Sequence, residues 1–92
     1  MGIQVRIPTP LRNITNGLDL VEANGANLEA VIDDLDARYS GMRERLIDED
    51  DEVRRFVNIF VNGEDVRFLD GIGTVINADD EISIVPAVAG GR

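Results

Sequence analysis

The stretch Phe56-Val57-Asn58-Ile59-Phe60-Val61-Asn62-Gly63 reads as a strand running into a tight turn. Val57, Ile59 and Val61 recur at every second position and share one face of an extended chain, while Phe56, Asn58 and Phe60 share the other. Asn-Gly directly after such a run signals a hairpin, because both residues tolerate the positive φ that a two-residue turn demands. Val66-Arg67-Phe68 is the expected return strand. Gly71-Ile72-Gly73 follows as a turn, since a lone Gly-x-Gly without a phosphate-loop lysine is a weak nucleotide signal. Asn77 to Glu81 forms a second turn, which launches a last strand, Ile82-Ser83-Ile84-Val85. Its isoleucines point inward, and Ser83 and Val85 point outward.

The chain before this hairpin has two further patterns. Ile3-Gln4-Val5-Arg6-Ile7 alternates with period two, a half-buried strand that ends at Pro8 and Pro10, neither of which can donate to a ladder. A connection from Thr9 to Gly17, with Asn16-Gly17 as its turn pair, leads to a second strand over Leu18-Asp19-Leu20-Val21. From Leu28 the period changes. Leu28, Val31, Ile32, Leu35 and Tyr39 fall on one helical face, with Glu29, Asp33, Asp34 and Asp36 off it. Asn27 is the expected N-cap, Arg38 suits the negative end of the dipole, and Gly41 is the expected stop. Met42 to Leu46 forms a short turn. Asp48-Glu49-Asp50-Asp51-Glu52 has acids at the first three odd positions of a calcium loop, but Val53 stands where that loop needs glycine, so a solvated, mobile acidic loop is expected. Hairpin, helix, hairpin and final strand make an α+β layer. The helix is expected to cover Ile3, Val5, Val57, Ile59, Ile82 and Ile84. Phe60 and Val85 then lie on the open face beside Pro86, either as a partner-docking patch or, for Phe56 and Phe60, as a minor core under a loop.

Composition narrows the chemistry. Ninety-two residues form one domain, able to bury roughly two-thirds of its unfolded surface. Eighteen acidic residues face nine basic ones, all arginine, for a net charge of −9. That field disfavours nucleic acid and anionic membrane surfaces and favours a partner with a basic docking face. Cysteine, histidine and lysine are all absent. Thiol nucleophiles, thiolate metal sites, the commonest general base and Schiff-base chemistry are therefore excluded. The remaining carboxylates sit in turns and solvated helix positions, away from the apolar neighbours that acid–base catalysis by a carboxyl group needs, so no catalytic residue and no metal site is assigned. Asn13-Ile14-Thr15 matches a glycosylation sequon without a secretion signal to give it meaning. No apolar run approaches the ~20 residues of a membrane span, and the start lacks a signal-peptide pattern, so a cytoplasmic protein is expected.

The end of the chain, Ala87-Val88-Ala89-Gly90-Gly91-Arg92, is small, apolar and uncharged up to its last residue. It is expected to be a flexible tail on a domain spanning residues 1–86. About five residues beyond Pro86, extended at ~3.3 Å each, reach roughly 16 Å. Two glycines without Cβ let a narrow tunnel close on the backbone. Ala87, Val88, Ala89, Gly90 and Gly91 are thus the residues expected to thread into a partner's active site and present a carboxylate there. A carboxylate is a nucleophile toward the α-phosphate of a nucleotide, and the resulting acyl adenylate is open to attack by sulfur or an amine.

This element order with a terminal Gly-Gly resembles the β-grasp (ubiquitin-like) sulfur carriers, the family of the thiamin and molybdopterin carriers. Ile7-Pro8-Thr9-Pro10-Leu11-Arg12, Tyr39-Ser40-Gly41 with Arg45-Leu46, Arg55-Phe56-Val57-Asn58-Ile59, Glu64-Asp65-Val66-Arg67-Phe68 and Val85-Pro86-Ala87-Val88-Ala89-Gly90-Gly91 resemble the actinobacterial carriers of thiocarboxylate-dependent cysteine synthesis. The resemblance implies a β-grasp fold: a mixed sheet of four to five strands with one main helix on one face. It implies a carrier, not an enzyme, with a thiocarboxylate on Gly91. Its implied partners are a zinc-containing E1-like activating enzyme that uses ATP, a PLP-dependent cysteine synthase whose aminoacrylate takes up the sulfur, and a releasing zinc metalloprotease. These cofactors belong to the partners; the carrier binds none and is expected to be a monomer alone. A protein modifier, the small subunit of molybdopterin synthase and a plain interaction module remain as alternatives. Arg92 departs from the family's Gly-Gly end. While it is present no thiocarboxylate can form on Gly91, so it is a precursor residue removed by the protease, an engineered residue, or the mark of an inactive copy.

Overall fold

The computed structural model describes residues 2–86, so the tail lies outside the described residues, as do the expectations placed on it. Strands β1 (Ile3–Arg6), β2 (Leu20–Ala23), β3 (Val57–Val61), β4 (Glu64–Asp65) and β5 (Glu81–Pro86) form a single sheet in the order β2-β1-β5-β3-β4. The pairs β1–β2, β3–β5 and β3–β4 are antiparallel, and the central β1–β5 pair is parallel. Helix α1 (Leu28–Arg38) lies between the two hairpins in sequence, followed by the one-turn helix α2 (Met42–Leu46). No helix among the described residues is long and apolar enough to cross a membrane.

The core is the meeting of two periodicities. Ile3, Val5, Val57, Ile59, Val61, Ile82 and Ile84 are buried at the period-two positions of the sheet, and Leu28, Val31, Ile32 and Leu35 at the helical positions of α1. Each such side chain contributes about 1.5–3 kcal/mol on burial. Met42 and Leu46 of α2 are fully buried as well, and Tyr39 packs against the same cluster. Asn27 caps α1: its side chain accepts the Ala30 N–H at 2.8 Å. Asn27→Ala is expected to cost about 1 kcal/mol and to lower Tm by about 4–8 °C, measured by thermal unfolding.

Several boundaries differ from the sequence pattern. The second strand starts at Leu20, not Leu18. Thr15, fully buried, donates its hydroxyl to the Leu18 carbonyl at 2.8 Å, and the Leu18 N–H bonds back to Thr15. That closed turn holds Leu18 out of the sheet. Val66–Phe68 is a 3-10 turn rather than a return strand. The Asp65 side chain accepts the Arg67 N–H at 2.8 Å, and this local bond competes with the ladder. The partner of β3 is therefore only the two residues of β4. Gly41, at φ +96°, does not cap α1, which ends at Arg38 with Tyr39 as its C-cap; it is the N-cap of α2. Asp36 joins the two helices by accepting the N–H groups of Gly41 and Arg43, each at 3.1 Å. The acidic loop is more tied than a mobile loop: Asp48 accepts the N–H groups of Asp50 and Glu52, and Ile47 bridges to Val53.

Candidate functional site

Strand β5 ends at Pro86, which pairs with Val57 at the start of β3; Val85 pairs with Asn58, and Ser83 with Phe60. Pro86, the last described residue, therefore lies at the end of the sheet where β3 begins. Of the sequence-predicted docking residues, Phe60 and Val85 sit diagonally across adjacent strands on the face away from α1, with Phe60 half-buried and Val85 40% exposed. Pro86 is exposed beside them. Phe56 does not fold under a loop: it is 60% exposed.

The same end of the sheet holds a groove of about 160 Å³ that sequence reasoning did not assign. Pro8, Pro10, Leu11, Arg45, Phe56, Val57, Ile84 and Pro86 line it. The prolines supply its wall because Pro10 lies inside a one-turn 3-10 segment, Thr9–Leu11, that turns the chain away from β1. Helix α2 supplies Arg45. The only available signal was that Pro8-Thr9-Pro10-Leu11, Arg45 and Phe56 recur among the segments that carry the family resemblance.

Arg67 fixes the approach to this end. Its Nη1 donates to Asn58 Oδ1 at 2.7 Å, and its Nη2 sits among the carbonyls of Arg54, Val57 and Val53 at 2.6, 2.8 and 3.4 Å. One guanidinium thus closes the loop that carries Phe56 onto β3. A second arginine, Arg43, gathers Asp33, Glu29 and Asp51 at 2.8–3.3 Å and ties both helices to the acidic loop. Burial alone would lower its pKa, but the hydrogen bonds and charges of Asp33 and Glu29 outweigh this and hold it above the ordinary arginine value. Among the described residues no three His, Cys, Asp or Glu side chains are placed to hold a metal ion. Two surfaces flank Pro86, the last described residue: an open-face patch of Phe60 and Val85, and the groove.

Known proteins resemble the chain in both sequence and fold. Over 93 aligned residues the chain is 53% identical to the sulfur carrier protein CysO of Mycobacterium tuberculosis, covering 99% of this chain and all of the relative. The crystal structure of that CysO superposes with a TM-score of 0.90 at 51% identity, over 94% of this chain and 99% of the other. The Amycolatopsis orientalis BexX/CysO complex contains a chain matching at TM-score 0.91 and 45% identity, over 97% of this chain and 99% of that one. Small archaeal modifier protein 3 of Haloferax volcanii is 44% identical over 66 residues, 72% of this chain and 71% of the relative. The ThiS family matches residues 5–91. With this coverage and a mixed five-stranded sheet packed on one main helix, the chain is a member of the ThiS family and has the β-grasp, ubiquitin-like fold.

Proposed function

We propose that this chain is a sulfur carrier whose residue Gly91 becomes a C-terminal thiocarboxylate that donates sulfur in cysteine biosynthesis. The carrying observation is the full-length 53% identity to a sulfur carrier, CysO. The family match runs to residue 91 and leaves Arg92 outside, which supports Gly91 as the working terminus. Hydrolytic removal of Arg92, assigned to a zinc metalloprotease, frees the Gly91 carboxylate. An E1-like enzyme then joins that carboxylate to the α-phosphate of ATP, and pyrophosphate leaves. Sulfide attacks the acyl adenylate, AMP leaves, and the thiocarboxylate remains. A PLP-dependent synthase would supply an aminoacrylate as the acceptor: the thiocarboxylate sulfur would add to its carbon–carbon double bond, the Gly91 acyl group would shift from sulfur to the amino nitrogen, and hydrolysis of that amide by the metalloprotease would release cysteine and restore the Gly91 carboxylate. ATP, zinc and PLP all act on the partner side; the carrier supplies the chain end and the surfaces around it. The crystallised complex of an A. orientalis CysO with BexX supports a carrier that works against a partner protein.

The test uses protein ending at Gly91, incubated with its activating enzyme, ATP and sulfide and weighed intact. The expected result is the mass increase for one oxygen replaced by one sulfur; an unchanged mass counts against the proposal. A second reading, as a protein modifier, is favoured by the likeness to the Haloferax modifier protein. It expects isopeptide adducts to lysines of other proteins in lysates, and finding only free and thiocarboxylated forms removes it.

A further inference from the structure

The groove at the root of β5 differs in charge from the rest of the molecule. The chain carries a net charge of −9, yet none of the groove's lining residues is acidic, and Arg45 is its charged member. Arg45 is exposed, as is Arg55, which directly precedes Phe56. Among the described residues neither makes an ion pair or a side-chain hydrogen bond, whereas Arg6, Arg38, Arg43 and Arg67 all face carboxylates within 4 Å. Arg12, next to Leu11, uses only its Nε–H, which donates to the Ile7 carbonyl at 3.1 Å. Among the described residues, Arg45 and Arg55 and the remaining donors of Arg12 thus belong to the segments that build the groove; Arg54 likewise uses only its Nε–H, which donates to the Glu44 carbonyl at 2.7 Å.

We propose that this groove binds an acidic segment of a partner protein that inserts one apolar side chain. That segment sits at the mouth of the enzyme receiving the tail, a placement that rests on the sulfur-carrier reading. Size, lining and charge point to the same occupant. The volume of about 160 Å³ is too small for a cofactor, whose sites run from about 300 Å³. It suits one ring or branched chain, since an aliphatic cavity of about 150 Å³ takes up benzene. The proline, leucine and phenylalanine walls favour an apolar insert. At physiological salt the Debye length is about 8 Å, so a partner carboxylate seated in the groove responds most to the charge that lines it, which is Arg45. The overall negative charge thus steers basic surfaces toward the body, while the tail root selects an acidic contact. Two opposite local charges would also set the register of docking, because rotating the carrier would place like charges together.

The test titrates isotope-labelled protein ending at Gly91 with the peptide Asp-Glu-Leu-Phe-Glu-Asp and, separately, with Lys-Lys-Leu-Phe-Lys-Lys. The acidic peptide is expected to shift the amides of Leu11, Arg45, Phe56 and Val57, and the basic one to leave them in place. Arg45→Glu is expected to weaken acidic-peptide binding about fivefold or more. Arg38→Glu changes the net charge equally at a residue outside the groove lining, in the last turn of α1, and should bind as the parent does. Shifts elsewhere, equal binding of the basic peptide, or equal weakening by Arg38→Glu would overturn the proposal. So would groove amides that move with protein concentration alone, which assigns the groove to a second copy. Movement of the Leu11 and Arg45 amides on truncation after Pro86 would assign it to the chain's own tail, with the same consequence. In the activating-enzyme reaction, Arg45→Glu should raise the carrier's KM about fivefold, with the difference shrinking at high salt. If the parent protein is never thiocarboxylated, the carrier reading fails while the peptide titration still decides the groove.

Discussion

Protein ending at Gly91 is expected to support exchange of labelled pyrophosphate into ATP on its activating enzyme, and protein ending at Arg92 to lose that exchange by at least about 10²-fold. One additional extended residue moves the terminal carboxylate by about 3.3–3.6 Å. A displacement of only 1 Å from productive geometry can cost about 10²-fold. Arg92 also brings a long charged side chain to a position where glycine has no Cβ to exclude. Treating the longer chain with carboxypeptidase B, which removes terminal arginine, should restore exchange, and that recovery separates a blocked terminus from a damaged fold. Equal exchange by both chains would show that the enzyme does not read the position of the carboxylate.

Arg67→Ala is expected to destabilise the fold by about 2 kcal/mol and to lower Tm by about 10 °C. The guanidinium donates to Asn58 Oδ1 and to the backbone carbonyls of Arg54 and Val57, all within 2.8 Å. Hydrogen bonds to a charged group are worth about 1.5–3 kcal/mol each, but this side chain is partly exposed, so water recovers part of the loss. Arg67→Lys should recover only part of the stability, because a point charge cannot reproduce a planar fork that serves several acceptors. The loop carrying Phe56 should show the largest change, read as faster amide exchange over Arg54 to Asn58. Equal stability of all three proteins in thermal unfolding would show that Arg67 is a surface residue with incidental contacts.

The elements were legible in the sequence wherever one periodicity governed a stretch. Ile3 and Val5, Val57 to Val61, and Ile82 and Ile84 alternate because a sheet with one covered face buries every second residue, and Leu28 to Leu35 repeat because α1 covers that face. Asn27 and the Asn62-Gly63 turn were legible for the same local reason: their geometry is set by their own side chains and backbone. The strand limits at Leu20 and Asp65 were not, because they depend on side chains that compete with the ladder. The Thr15 hydroxyl closes a turn before β2, and the Asp65 carboxylate opens one after β4.

By itself, then, the sequence determined the element order, the buried faces and the absence of thiol, imidazole and amine chemistry, and it directed attention to the chain end. Only the tertiary structure decided what surrounds that end. The parallel pairing of β1 with β5 places Pro8, Pro10 and Leu11 beside Pro86, residues separated by most of the chain. Arg45 and Phe56 join them from two further segments. Net charge is a sum over the whole chain and pointed to a basic partner. A docking site responds to the charges within a Debye length, and packing alone determines which residues those are.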